Sequence, residues 1–457
     1  MALISSSVPR PPGPRNFIPG LWFVGFRKDP IRFFTRLARQ YGDIVYFHLG
    51  PQRIFLLNHP DLIRDVLVTH DSNFVKGRGL ERAKLLLGEG LLTSEGELHR
   101  RQRRLMQPAF HRFRLKAYSE IMVQSADQLQ DSWQEGMVLD IDHEMKGLTL
   151  SIVGRTLFGA DVEKEAGEFG EALTTAMRLW RRMMLPFAET LEKFPLPSVR
   201  KFRNARRRLD ETIYRIIEER RQKPVLNEDL LSMLLTAQDT EGDGGQMTNL
   251  QLRDEVMTLF LAGHETTANA LTWTWYLLSQ NPDVEARFQA EVDRLPTGKL
   301  PSADDLPLLT YTEKVLTESM RLFPPAWLIG RRALRDYDVP PYRIPAHSLV
   351  LMSQYVMHHD ERYFQDAFRF DPERWTPEAK AARPKFSYFP FGGGPRQCIG
   401  DGFAWMEGIL LLAALGRKWK LKLVPGHRVE MQPLVTLRPK YGMKMILERR
   451  LNRGNAG

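Results

Sequence analysis

Apolar residues recur with a helical period through most of the chain and alternate with polar residues in only a few short stretches. One of these stretches, Asp43 to Asn58, alternates on both sides of Gly50-Pro51 and predicts a β-hairpin. A second β-like run lies between Pro433 and Pro439 and predicts a short sheet near the C-terminus. The pattern therefore predicts an α+β fold class in which helices predominate.

The longest helical pattern lies near the middle of the chain. Thr248 and Gln251 have the spacing of a capping box, which predicts that a helix begins there, and Asn281-Pro282 ends it. A helix of this length extends roughly 45 Å at 1.5 Å per residue, which is enough to cross the whole molecule. We therefore expect it to be the central helix of the fold.

Two further helices are predicted from their end signals. One begins at Thr310, where Glu313 would complete a capping box, and ends before Pro324. The other begins directly after Cys398 and ends near Gly416, because a glycine suits the position that follows a helix end.

No fixed-period repeat and no long low-complexity segment divides the 457 residues. Residues 1–19 are rich in proline and predict an extended lead-in. Residues 239–245 (DTEGDGG) predict a flexible loop, but the helical patterns on both sides are typical of one body. We therefore predict a single domain over residues 20–457.

Composition and charge exclude several classes of protein. A single cysteine rules out an intramolecular disulfide and is compatible with a reducing, intracellular compartment. The formal charge of +10 indicates an acidic partner, with nucleic acid, anionic lipid and an acidic protein as the candidates. No apolar run approaches the roughly 20 residues that span a bilayer, so we expect no transmembrane anchor and a cytoplasmic location.

The single cysteine, Cys398, lies in the segment Phe391 to Gly400, which reads FGGGPRQCIG. Three consecutive glycines allow the backbone to approach a bulky planar group closely. The start of the following helix, together with the nearby Arg396, would favour the thiolate form of the cysteine. The alternative is a buried structural cysteine beside a glycine-rich turn, and these arguments alone leave both interpretations open.

The central helix carries small and polar residues near its midpoint. Gly263, His264, Glu265 and Thr266 stand between apolar residues on several faces of this helix. A carboxylate, a hydroxyl and a glycine are locally unfavourable in an apolar helix. The alternative is a solvated stripe, but a helix that is apolar nearly all round is buried, which favours a functional interpretation.

Two groups of charged residues are weaker indicators of function than the cysteine segment and the central helix. Glu318 and Arg321 share one helix face and can pair, although many surface helices carry this spacing. Residues 99–104 (HRRQRR) are strongly basic and would form either a solvated helix face or a nucleic-acid contact. Because no aromatic residue is interleaved among them, we do not expect nucleic-acid binding.

The cysteine segment resembles the haem-binding signature of the cytochrome P450 family, and every fixed position of that signature is matched, at Phe391, Gly394, Arg396, Cys398 and Gly400. The resemblance implies that the Cys398 thiolate is the proximal ligand of the iron of haem b, with Phe391, Arg396 and Gly400 as further cofactor-binding residues. It also implies the family's fold, with the haem between the central helix and the helix that follows Cys398. A thiolate ligand favours O–O cleavage over simple O₂ carriage.

Other segments resemble further features of this family. Glu265 and Thr266 resemble the acid–alcohol pair that delivers protons during oxygen activation at a widened turn of the helix, and Gly263 would leave room beside the iron. A buried structural cluster of charges is implied for Glu318, Arg321 and Arg374.

The resemblance also implies contacts with the haem propionates and with an electron donor. The propionate contacts would come from His99, Arg103 and Arg331. The donor would be a separate ferredoxin- or flavodoxin-type protein with its reductase. The residues expected near its docking face are Arg100, Arg101 and Arg104.

The reaction implied is the insertion of one oxygen atom of O₂ into an organic substrate, by hydroxylation or epoxidation. Two alternatives are a peroxide-driven haem-thiolate enzyme and a haem-based gas sensor. The segments expected to wall the substrate pocket are mostly apolar, so we expect a lipophilic substrate such as a fatty acid, a terpenoid or a polyketide-like molecule. These segments are 85–87, 180–187, 259–263, 326–329 and 434–436, and the pocket residues predicted within them are Leu86, Phe260, Ala262, Trp327 and Val435.

Overall fold

The computed structural model describes residues 9–14, 21–159, 169–170, 172–173, 175–176, 196–222, 229–239 and 245–450. The helices are α1 Leu21–Lys28, α2 Pro30–Tyr41, α3 Pro60–Arg64, α4 Arg78–Leu87, α5 Gly96–Met106, α6 Arg112–Asp131, α7 Ile141–Phe158, α8 Pro197–Gln222, α9 Leu230–Thr236, α10 Asn249–Gln280, α11 Pro282–Val292, α12 Thr310–Leu322, α13 Gln354–His358, α14 Pro377–Ala382 and α15 Asp401–Lys418. The strands are β1 Ile44–Leu49, β2 Gln52–Leu57, β3 Phe74–Lys76, β4 Val138–Asp140, β5 Ile329–Ala333, β6 Tyr337–Val339, β7 Tyr342–Ile344, β8 Leu349–Met352, β9 Trp419–Leu423, β10 Met431–Pro433, β11 Leu437–Pro439 and β12 Lys444–Arg449.

Three predictions fall partly or wholly outside these residues. They concern the pocket wall at residues 180–187, the middle of the predicted loop at residues 240–244, and most of the lead-in at residues 1–19.

The contacts between Cα atoms divide the chain into two compact units. The first unit comprises Met1–Glu81, Ala326–Arg369 and Thr376–Cys398, and the second comprises Arg82–Pro325, Phe370–Trp375 and Ile399–Gly457. The single domain over residues 20–457 stays a prediction.

The first unit is built on a five-stranded sheet in the order β1-β2-β8-β5-β3. Strands β1 and β2 are antiparallel, with Leu49 opposite Gln52, so the predicted hairpin around Gly50-Pro51 is confirmed. The other pairs are antiparallel except for β2 and β8, which run parallel. Apolar residues of the sheet join the buried core of this unit, which also contains Phe386 and Phe389 of the segment that leads to Cys398.

The second unit is built around the central helix α10, which packs against α7. Its predicted start is confirmed: Gln251 N donates to Thr248 Oγ1 over 3.2 Å, and Thr248 N donates to Gln251 Oε1 over 2.9 Å. The helix ends at Gln280, directly before the predicted Asn281-Pro282 stop. The β-like run near the C-terminus is the antiparallel hairpin of β10 and β11.

The cap predicted for α12 is wrong. Thr310 is already the first residue of this helix, and its Leu309 N-cap forms no side-chain hydrogen bond. The cap comes instead from Glu291 of α11, whose carboxylate accepts from Tyr311 N over 2.6 Å and from Thr312 N over 2.7 Å. A carboxylate at a helix N-terminus satisfies unpaired N–H groups and complements the helix dipole.

The helix predicted after Cys398 is confirmed as α15, and both of its ends lie slightly further along the chain than expected. The helix begins at Asp401, so Ile399 and Gly400 separate it from Cys398. At the other end the helix continues through Gly416 to Lys418. A Cβ on Gly416 would lie 2.5 Å from Phe288 Cζ, so this glycine allows α11 to approach and does not end the helix.

Candidate functional site

Cys398 ends a tight turn in the first unit. Residues Gly394–Arg396 form a 3₁₀ turn, Gln397 N donates to Gly394 O over 3.0 Å, and Cys398 N donates to Phe391 O over 3.0 Å. Cys398 is exposed and forms no disulfide. The backbone hydrogen bonds hold the turn that presents the thiol. Because Cys398 is exposed, it is not a buried structural cysteine.

Two of the three glycines before Cys398 are required by the protein's own packing. Gly394 has φ of +68°, and a Cβ there would lie 2.0 Å from the carbonyl oxygen of Leu67. A Cβ on Gly393 would lie 2.6 Å from Phe386 Cε1. At these two positions the close approach is to Leu67 and Phe386, a reason that sequence reasoning did not anticipate.

The middle of the central helix is buried except for three partly accessible residues. Between Leu252 and Trp275 every residue is buried except Ala262, Gly263 and Thr266, which are half-buried. Because positions i, i+1 and i+4 lie on one side of a helix, these three residues form one accessible strip. The strip lies at the turn where the sequence placed the oxygen-activating residues.

Glu265 and His264 are buried, so the alternative of a solvated stripe is wrong. Glu265 Oε1 accepts from Thr436 Oγ1 over 2.8 Å, and Thr436 Oγ1 accepts from Asn269 Nδ2 over 3.1 Å. Thr436 lies between β10 and β11, so the C-terminal hairpin holds the carboxylate. Burial lowers the pKa of His264, and the neighbouring Glu265 opposes this shift only in part.

The expected widening of the helix at Thr266 is not observed. The helix is α-helical throughout, and Thr266 Oγ1 donates to Ala262 O over 2.7 Å, one turn earlier. This bond is the ordinary way in which a threonine hydroxyl is satisfied within a helix. It joins two residues of the accessible strip.

Gly263 has a packing role that the sequence did not predict. A Cβ on this residue would lie 2.8 Å from Val153 Cγ2 of α7. The absence of a side chain therefore allows α7 to pack closely on the central helix. That Gly263 also leaves room beside the iron stays a prediction, and its place in the accessible strip is compatible with it.

The charged cluster predicted from Glu318, Arg321 and Arg374 is assembled in the second unit. Arg321 donates to both carboxylate oxygens of Glu318, over 2.8 Å each, and Arg374 Nε donates to Glu318 Oε1 over 3.3 Å. Glu318 also accepts from Trp375 Nε1 over 2.9 Å at Oε2 and from Asp371 N over 3.1 Å at Oε1. Glu318 and Arg321 are fully buried, so these bonds compensate for the cost of removing both charges from water.

Comparison with known proteins decides the family. A sequence model of the family described as Cytochrome P450 matches residues 9–446. The chain belongs to the cytochrome P450 family. It is similar to cyclooctatin synthase of Streptomyces melanosporofaciens, at 40% identity over 412 residues that cover 90% of this chain and 89% of the relative. It is also similar to pentalenene oxygenase of Streptomyces avermitilis, at 38% identity over 414 residues that cover 90% and 91%.

Solved structures agree with this assignment. The retinoic acid-bound cyanobacterial CYP120A1 is 28% identical, with a TM-score of 0.86 over 97% of this chain and 100% of that one. The cytochrome P450DA haem domain is 26% identical, with a TM-score of 0.87 over 97% and 99%. The predicted P450 fold is therefore confirmed, and the chain is an oxidoreductase, a haem monooxygenase that uses O₂. Within the described part of the chain, no helix is both long and apolar enough to traverse a membrane.

The residues predicted to contact the haem propionates of this cytochrome P450 are distributed over both units. In the second unit, α5 carries the buried His99 and the half-buried Arg103. In the first unit, Arg331 is a buried residue of β5, and its Nη1 donates to Gly330 O over 3.1 Å. Phe391 and Arg396 are half-buried in the turn before Cys398, and Gly400 is the N-cap of α15.

The docking face predicted on α5 stays a prediction, although two of its three arginines bind another segment of the chain. Arg101 Nε and Arg104 Nη2 donate to the two carboxylate oxygens of the buried Asp239, over 3.2 and 2.7 Å. Arg101 also donates to the carbonyl oxygen of Gly245 over 2.8 Å. These two arginines hold the ends of the 239–245 loop, and Arg101 is half-buried there, whereas Arg104 and Arg100 remain exposed and Arg100 pairs with Glu97.

The predicted pocket residues occupy different environments. Phe260 is fully buried and stacks on Phe158, with ring centroids 4.5 Å apart, so it is packed in the core, and its place in the pocket wall stays a prediction. Trp327 and Leu86 are buried, Val435 is exposed, and Ala262 belongs to the accessible strip.

One acidic residue was missed by sequence reasoning. Glu407 of α15 is fully buried, and neither of its carboxyl oxygens has a partner with hydrogen-bond geometry. Burial raises the pKa of Glu407 to about 8, and the hydroxyl of Thr267 on the central helix opposes this shift only in part. The carboxyl group is therefore mostly protonated at pH 7. The available signal was an acid inside the apolar stretch that follows Cys398.

Proposed function

We propose that this protein uses haem b, held by the Cys398 thiolate, to hydroxylate or epoxidise a lipophilic substrate of the terpenoid class. The observation that carries the proposal is the accessible strip Ala262, Gly263 and Thr266 in an otherwise buried helix. The fit of the donor atoms supports it, because the thiol at the end of this turn, once it has lost its proton, is the soft anionic ligand that a haem iron accepts.

The haem, when bound, supplies the reduction of O₂ and the transfer of one oxygen atom to carbon. The protein supplies protons and excludes water. Glu265 holds a carboxylate beside the strip through Thr436, and Thr266 presents a hydroxyl that can exchange its bond to Ala262 O for a bond to a reacting group. We assign Glu265 as the group that takes up a proton and passes it on, and Thr266 as the group that orients that proton. Gly263 allows α7 to pack closely on the central helix, and its missing side chain would leave room beside a bound haem.

The substrate class is proposed from the relatives. Cyclooctatin synthase and pentalenene oxygenase are terpene oxygenases that share 40% and 38% identity with this chain. Ala262 offers a small side chain on the strip, which suits the approach of a bulky hydrocarbon. Burial of such a ligand contributes about 25 cal/mol per Å² before the costs of binding are subtracted.

Electrons are proposed to come from a separate acidic ferredoxin- or flavodoxin-type protein with its reductase. We place its docking surface at the start of α6, where Phe113 is 75% exposed beside the exposed Arg112. This end of α6 packs on the residues after Cys398, since a Cβ on Gly402 would lie 3.2 Å from Leu115 Cδ1. An exposed aromatic ring beside a cation is typical of the anchor residues of protein interfaces.

The test uses the haem-loaded protein with pentalenene as the probe. We expect the ligand to shift the haem absorbance, and we expect an oxygenated product that requires O₂, a reduced ferredoxin and its reductase. Ala262→Leu should abolish the absorbance shift while preserving the spectrum of the reduced carbon monoxide complex. Product formation from peroxide alone, with none from O₂ and donor, would support the peroxide-driven alternative. Carbon monoxide binding without any turnover would support the gas sensor.

A further inference from the structure

A π-helical turn lies directly against the turn that ends in Cys398. Residues Asp65–Thr69, which follow α3, form this π turn, and His70 N closes it with a 2.8 Å bond to Asp65 O. Short π-helical turns are rare and are found frequently at functional sites. Both turns belong to the first unit.

The side chain of Asp65 secures the π turn through two partners. Asp65 Oδ1 lies 3.0 Å from His70 Nδ1, and Asp65 Oδ2 accepts a hydrogen bond from the Tyr337 hydroxyl of β6. Tyr337 is buried and lies against the ring of His70, with centroids 5.5 Å apart. The Asp65 carboxylate therefore ties the π turn both to its own end and to β6.

The backbone of the π turn contacts the backbone of the cysteine turn at Gly394. A Cβ on Gly394 would lie 2.0 Å from Leu67 O and 3.2 Å from the Cα of Val68, so the two backbones are in direct contact. Gly394 O in turn accepts from Gln397 N, the residue before Cys398. A displacement of the π turn therefore shifts the 3₁₀ turn that aims the thiol.

We propose that the π turn 65–69 is the positioning device for the Cys398 turn and that Asp65 is the positioning residue that holds it. The proposal rests on the proposed function, because it assumes that Cys398 binds the haem iron. In this proposal, Asp65 makes no contact with the haem. It acts through Leu67 and Gly394, and its loss makes the thiolate easier to displace or protonate.

The experiment follows the reduced carbon monoxide complex of the haem-loaded protein over time at a fixed temperature. We expect Asp65→Ala to lose the red-shifted thiolate band about tenfold faster than the parent protein, because hydrogen bonds to a charged group are lost. Tyr337→Phe, which removes one of these bonds and keeps the ring, should change the rate in the same direction by a smaller factor. Asp61→Ala is the matched control, since its side chain is 73% exposed on the preceding helix, and should leave the rate unchanged.

The readout separates positioning from general destabilisation. Far-ultraviolet circular dichroism is recorded in parallel, and the thiolate band of Asp65→Ala should be lost while the helical signal stays constant. A parent-like rate in both Asp65→Ala and Tyr337→Phe, or loss of the band only together with the helical signal, would overturn the proposal. If the parent protein never shows the thiolate band, the proposed function fails instead.

Discussion

Cys398 is the residue on which the proposed chemistry depends. It is the only cysteine in the chain, so no other thiolate can replace it as the soft ligand. We predict that Cys398→Ala abolishes the red-shifted band of the reduced carbon monoxide complex. The absorbance spectrum of the haem-reconstituted variant checks this, and persistence of the band would refute the assignment of the ligand.

Thr266 offers a second test at the scale of one side chain. Because positioned proton donors contribute roughly 10²–10⁴-fold to a reaction, Thr266→Ala should still consume reductant but release more peroxide and less product. Thr272→Ala is the matched control, since the Thr272 hydroxyl makes the same kind of bond, 2.8 Å to Ala268 O, away from the strip. The measurement is the ratio of product to reductant consumed. An equal ratio in both variants would remove Thr266 from the mechanism.

Glu407 gives a prediction about pH. The pKa of Glu407 is raised from 4.5 to about 8 in the folded protein, so between these values the folded state binds a proton that the unfolded state has released. The free energy of unfolding should therefore fall as pH rises through this window, by at most about 1.4 kcal/mol per pH unit from this group. Glu407→Gln should remove that contribution, and the exposed control Glu97→Gln should not. Urea unfolding at pH 5 and pH 8 measures the difference, and identical pH dependence in the parent and Glu407→Gln would contradict the prediction.

At the scale of elements, the cluster around Glu318 joins α12 to the 3₁₀ turn Pro372–Trp375. Arg321→Met leaves the fully buried Glu318 without its main partner, so it should destabilise the protein by roughly 3–5 kcal/mol. Arg287→Met is the control, because Arg287 pairs with Glu373 at the surface and such pairs contribute about 0–1 kcal/mol. Equilibrium urea unfolding distinguishes the two. Similar losses in both variants would show that the cluster is not a structural centre.

The electron donor could dock at the start of α6 or on α5, and substitutions on the two helices distinguish these surfaces. If the start of α6 is the surface, Arg112→Glu should slow reduction by an acidic plant-type ferredoxin by about tenfold or more at low salt, and the difference should shrink as salt rises. Phe113→Ala should slow reduction at every salt concentration. Stopped-flow reduction of the haem measures both, and the absorbance spectrum should stay unchanged. A larger effect from Arg100→Glu would return the docking surface to α5.

At the scale of the whole molecule, local signals identified the family, the central helix and a few other elements. Three features were predicted from residues within a few positions of one another: the Thr248–Gln251 cap, the hairpin around Gly50-Pro51 and the cysteine segment. In each of them, a short stretch of sequence contains the interactions that determine the local structure. The fixed positions of the cysteine segment likewise pointed to the correct family before any distance was known. These features depend on backbone conformation and hydrogen bonds that neighbouring residues determine.

Only the tertiary structure decided the partners of the polar and small residues. Arg101 meets Asp239 138 positions away, and Glu265 meets Thr436 171 positions away. Gly263 is explained by a valine on another helix. The sequence determined which residues carry charge, hydroxyl or no side chain, and hence the class of chemistry. The sequence does not determine which carboxylates are neutralised, which are buried and which are held for proton transfer. These properties depend on packing between segments far apart in the chain, because a side chain is buried and finds its hydrogen-bond partners only when those segments meet.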